Sequence, residues 1–178
     1  MQPEQPKYAA VEICRKQFYS SYRMLCTLVD VCPDSVWFSC YYGFDYPVWY
    51  QVYHVAYFVD FWLRDAYDDK EFHCMVCSEY IAPEFEHKPP EGLIVSRADM
   101  KAYLCKIDAK LCHFFDSLTD ARLTQPILSG KDQFTYLDVI TTQQRHIMYN
   151  IGYLNGILRG LNLPESDWYA YNEAESAE

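Results

Sequence analysis

The sequence predicts an all-α protein folded as a four-helix bundle with a long crossover connection. Two observations carry this. Four long stretches place apolar residues at three- and four-residue steps, and the segments between them are rich in turn residues. The composition agrees, because 178 residues that are 51% hydrophobic and 17% aromatic suffice for one sizeable core. The expected organisation is one domain over residues 1–178, with an acidic tail at about 169–178 that frays.

The first helix is expected from about Tyr8 to Val29, with Val11, Cys14, Phe18, Tyr22, Leu25 and Val29 on one face. Pro33, Gly43 and Pro47 then interrupt the pattern, and this aromatic stretch is expected to pack over a bundle end. The second helix, about Tyr46 to Tyr67, is apolar nearly all round. Val48, Val52, Val55, Val59 and Trp62 form one stripe, and Tyr50, His54, Phe58 and Phe61 its neighbour. It has many valines, but its length exceeds that of ordinary strands. A helix so apolar is central or lies at an interface, which suggests a homodimer. Asp60 and Arg64 are spaced for an i,i+4 pair.

The connection from Asp68 to Val95, with Pro83, Pro89, Pro90 and Gly92, is long enough to cross the bundle. Such length implies a short helical turn or a lid within it. Ser96 with Asp99 forms a capping signal for the third helix, whose buried face is Met100, Tyr103, Ile107, Leu111, Phe114 and Leu118. Thr135 with Asp138 starts the fourth in the same way. Its seam is Leu137, Ile140, Ile147, Ile151, Leu154, Leu158 and Leu161, interrupted by Gln144, and Gly160 and Pro164 mark its end.

A net charge of -10 and no visible basic patch argue against nucleic acid or an anionic membrane as partner. The polar N-terminus and the lack of a long apolar run point to a cytoplasmic protein with free thiols. Cys14, Cys26, Cys105 and Cys112 fall in helical patterns and are expected as small apolar fillers. Cys74 and Cys77 make a C-x-x-C, but no second pair accompanies them, so they read as packed thiols.

Three side chains compete as metal ligands: His54 on the second helix, and His146 and Asn150 on the fourth. His146 and Asn150 are one turn apart on one face, each one position before a seam residue, so both lean toward the buried stripe. Bundle metal sites are built this way, from inward side chains on facing helices. Two imidazoles and an amide bind a transition metal more loosely than three imidazoles. The competing reading is a lone histidine hydrogen-bonded in the core, with Tyr50, Tyr53, Tyr149 and Tyr153 as candidate partners. His87 and His113 have no matching constellation. Nucleophile elbow, phosphate loop, H-E-x-x-H and dinucleotide templates are all missing.

The fourth helix, His146-x-x-x-Asn150-Ile-Gly-Tyr-Leu-Asn155-x-x-Leu-Arg159, with His54-Val-Ala-Tyr-Phe on the second and Trp168 after the last helix, resembles the DinB-like (YfiT-type) four-helix-bundle metalloproteins. The resemblance implies one divalent metal, zinc or nickel, held by His54 and His146, with Asn150 standing where that family has a third histidine. It also implies a metal-dependent thiol transferase or hydrolase acting on a small-molecule substrate or a low-molecular-weight thiol. Tyr149, Gln143 and Arg145 lie near His146 as candidate substrate contacts. The alternative is a non-catalytic dimeric bundle that binds a small molecule or serves as an interaction module.

Overall fold

A computed structural model describes residues 9–64, 88–89, 91–128 and 131–170, the side chains of 128 and 131–133 excepted. Expectations for the Cys74/Cys77 pair, for His87, for a lid or helical turn within the long connection and for the acidic end beyond residue 170 fall outside the described residues. Four long helices dominate: α1 (Ala10–Val31), α3 (Val48–Trp62), α4 (Arg97–Ser117) and α6 (Tyr136–Gly160). Between them lie the single-turn helices α2 (Asp34–Trp37) and α5 (Asp120–Leu123). A small antiparallel hairpin, β1 (Pro126–Leu128) and β2 (Lys131–Thr135), pairs Pro126 with Thr135 and Leu128 with Lys131. The hairpin and the two short helices have no periodic signal in the sequence.

Local chemistry explains where three of the long helices begin or end. The Ser96 hydroxyl accepts from the Asp99 amide at the start of α4. At α6, Thr135 and Asp138 form a reciprocal capping box. The end of α6 is set not by Gly160, which is its last helical residue, but by Asn162, whose φ of 54° is left-handed. The Asn162 amide donates to the Arg159 carbonyl and the Leu163 amide to the Leu158 carbonyl, which is a Schellman stop with Asn in place of glycine. Pro47 precedes the first turn of α3, which is shorter than expected and ends at Trp62.

The helices form a square in which α1 and α3 each pack against α4 and α6. Pairs of side chains fix the directions. Arg15 meets Asp116 at 2.8 Å, Tyr19 meets Cys112 at 3.2 Å and Lys101 meets Asp30 at 2.6 Å, so α1 and α4 are antiparallel. Gln51 meets Asn150 and His54 meets His146, so α3 and α6 are antiparallel too. The Trp37 indole N–H donates to the Val95 carbonyl just before α4, and the Val48 amide donates to the Ser39 carbonyl at the start of α3. Both α3 and α4 therefore leave from the end capped by α2. They run the same way, so the chain between them joins opposite ends of the bundle, as the expected crossover requires.

The core is aromatic, with Phe18, Tyr22, Trp37, Trp49, Tyr50, Tyr53, Tyr103, Phe114 and Phe115 all fully buried. Asp60 is buried among them. Its carboxylate accepts from the Tyr103 hydroxyl at 2.9 Å and pairs with Lys110, so its partners come from α4 and not from Arg64. Arg64 lies over the Phe61 ring instead. The six described cysteines are free, and Cys105 and Cys112 are exposed, which corrects their reading as core fillers. No described helix is long and apolar enough to cross a membrane.

Candidate metal centre

The site follows from the antiparallel register of α3 and α6. Where the two helices face each other, residue numbers sum to about 200, which sets His54 opposite His146 and Gln51 opposite Asn150, one turn along. The two imidazoles meet Nε2 to Nε2 at 2.8 Å, with their ring planes 76° apart. The Phe58 ring closes one side, 5.0 Å from the His54 ring and 5.8 Å from that of His146. Both histidines are half-buried. Burial, and then the neighbouring His54, push the His146 pKa down from 6.5 to about 4. His146 is therefore neutral at pH 7, the form in which imidazole accepts a hydrogen bond or binds a metal.

Asn150 is close by but otherwise engaged. It is 2% exposed, its Oδ1 accepts from Gln51 Nε2 at 3.2 Å and its Nδ2 donates to the His146 carbonyl at 2.9 Å. All three candidate residues thus lie within one turn along the α3–α6 seam, but only the imidazoles point at each other. Gln51 was missed in the sequence. Its signal was its position three residues before His54, matching Asn150 four residues after His146 on an antiparallel partner.

The other expected contacts separate. Tyr149 is 80% exposed and turned away, and Tyr153 makes edge contacts with the Tyr42 and Phe44 rings instead of serving the histidines. His113 is exposed, Arg145 is exposed and Gln143 is buried. Gln144, the interruption of the α6 seam, donates across to the Gln17 carbonyl at 3.3 Å. Trp168 is 70% exposed beside a cleft of about 440 Å³ between α1 and α6.

The pair can be tested for metal by its spacing. Two imidazole nitrogens at about 2.0–2.1 Å from one ion stand roughly 2.9 Å apart at a right angle and roughly 3.4 Å apart at the tetrahedral angle. The observed 2.8 Å suits neighbouring ligands at a right angle, and tetrahedral zinc needs the rings to part by a few tenths of an ångström. Among the described residues no group of three His, Cys, Asp or Glu side chains gathers as a metal cluster. The pair fits as two ligands, and among the described residues the nearest further candidate is Asn150, once it turns off Gln51.

The model of one protein family, described as the DinB superfamily, matches residues 17–154, from the first third of α1 through most of α6. The chain belongs to the DinB superfamily. Comparison with curated proteins and with solved structures gives no match. The DinB match contains His54, His146 and Asn150, and with them the whole α3–α6 seam.

Proposed function

We propose that this DinB-superfamily bundle holds a divalent cation, zinc or nickel, between α3 and α6 and uses it on a low-molecular-weight thiol or another small-molecule substrate. The observation that carries the reading is the 2.8 Å approach of two Nε2 atoms from different helices. His54 and His146 supply the two strong ligands. Asn150 supplies a weak third when its oxygen leaves Gln51, and open positions remain for substrate. A cation held there lowers the pKa of a bound thiol or water and so makes a nucleophile at neutral pH. The chain itself contributes a neutral His146, a Phe58 wall that excludes water from one side and a Gln51–Asn150 bond that keeps the next turn of the seam in register.

A second reading is favoured by the engagement of every polar group at the site. One neutral imidazole donating to the other satisfies both Nε2 atoms, and Asn150 is satisfied without a ligand. The protein is then a non-catalytic bundle that binds a small molecule or a partner. Calorimetric titration of chelator-treated, tag-free protein with zinc and nickel separates the two. The metal reading expects one cation per chain in the parent and none in His54→Ala or His146→Ala. Absence of a saturable site in the parent sinks it.

A further inference from the structure

One turn beyond the imidazole pair, the α3–α6 seam opens into a second cavity. It has a volume of about 160 Å³ and is lined by Trp62, Phe134, Asp138, Val139, Thr142 and Gln143. The walls are chiefly apolar, with the Trp62 and Phe134 rings in edge contact at 6.0 Å. A cavity of about 150 Å³ accommodates a benzene ring.

Of the three polar wall residues, Asp138 is engaged with Thr135 in the capping box, and Gln143 is the one with a buried atom left without a partner. Gln143 is 5% exposed, and its Oε1 is shut away from solvent with no donor among the described residues. A buried carbonyl without a donor costs free energy that a ligand donor restores. The oxygen has no surface on the cavity as it stands, so the amide must turn to present it to a ligand donor. Gln143 lies three residues before His146 on α6, and Trp62 lies one turn after Phe58, the ring that touches His146, on α3.

We infer that this cavity is a binding site for a single planar ring carrying one hydrogen-bond donor, the ring held by Trp62 and Phe134 and the donor by Gln143. As the substrate pocket of the centre it rests on the metal reading, whereas its affinity for such a ring does not. The probes are phenol and toluene, which share size and shape and differ in the hydroxyl. Binding to chelator-treated protein is followed by nuclear magnetic resonance titration.

Parent protein should bind both rings saturably, and phenol should shift the Gln143 side-chain amide signals as well as the Trp62 indole signal. Toluene should shift the indole alone. Gln143→Met keeps the length and removes the polarity, so the phenol-to-toluene affinity ratio should fall about tenfold, the worth of one buried hydrogen bond. Trp62→Ala should weaken both rings. A ratio unchanged within about twofold on Gln143→Met, silent Gln143 amide signals on adding phenol to the parent, or no saturable binding of either ring overturns the inference. Rings that bind to a protein unable to take zinc leave the cavity standing and remove only the metal reading. Zinc uptake without ring binding does the reverse.

Discussion

The Nε2 of His54 lies 2.8 Å from the Nε2 of His146, and Asn150, one turn further along α6, is turned away from that contact onto Gln51. The fourth helix therefore offers one imidazole to the contact where the spacing suggested a pair of ligands. Asn150 instead joins the seam through a neutral amide–amide bond. Metal affinity should depend on how readily that bond is given up.

Replacing the amide tests this. Asn150→His supplies a third imidazole one turn from His146 and deprives Gln51 Nε2 of its acceptor. Zinc and nickel should bind more tightly, by at least the 10- to 100-fold or so that a supporting partner of a metal ligand is worth. Without metal the variant should be less stable by about 1–3 kcal/mol, from the unpaired Gln51 and the larger ring. Calorimetry and urea unfolding of the same preparations report both. Lost stability with no gain in affinity supports the non-catalytic reading.

Acid should weaken the metal-free protein through His146. The unfolded chain takes up a proton on this imidazole near pH 6.5, the folded protein only near 4. Between those values the unfolded state holds more protons, so the stability owed to a neutral His146 is complete above 6.5 and lost as pH falls toward 4. His146→Gln should flatten that part of the profile. Urea unfolding at pH 7, 5.5 and 4.5 checks it, and parallel profiles for parent and variant would falsify the assignment.

Asp60 ties α3 to α4 from inside the core. Asp60→Ala leaves the Tyr103 hydroxyl and the Lys110 ammonium without their shared acceptor. Because Lys110 keeps some contact with water, the loss should be about 3 kcal/mol, the low end for breaking a buried ion pair. Tyr103→Phe should cost about 1 kcal/mol, and a double-mutant cycle should show the two effects to be coupled.

At the N-terminus of α1, the Asp120 carboxylate accepts from the Ala10 and Val11 amides, each at 3.0 Å. Asp120→Ala should cost about 1 kcal/mol, as loss of an ordinary cap does. Hydrogen exchange should quicken in the first turn of α1 while α6 stays protected.

These caps show what the sequence made legible. Ser96 with Asp99 and Thr135 with Asp138 are satisfied within four residues, so their spacing identifies them. Asp120 caps a helix 110 positions away, and no local pattern carries that. The same holds at the site: His54 and His146 stood out as residue types, but Gln51 acquires meaning only once α3 and α6 are known to be antiparallel. Cys105 failed for a different reason. It sits two residues from Ile107, roughly 200° round the helix, so periodicity placed it outward and the general tendency of cysteine to be buried misled.

The up-down-down-up course of the chain sets the order in which the imidazole pair can come into being. His54 and His146 are 92 positions apart, on the second and last of the long helices. A chain leaving the ribosome presents His54 well before the helix bearing its partner has been synthesised, and loop closure over that distance comes late in folding. The pair therefore reports completion: a nascent or truncated chain without α6 has His54 but not His146, a misdocked one has both but not their contact, and any cation held between these helices would have to wait until the last one has docked.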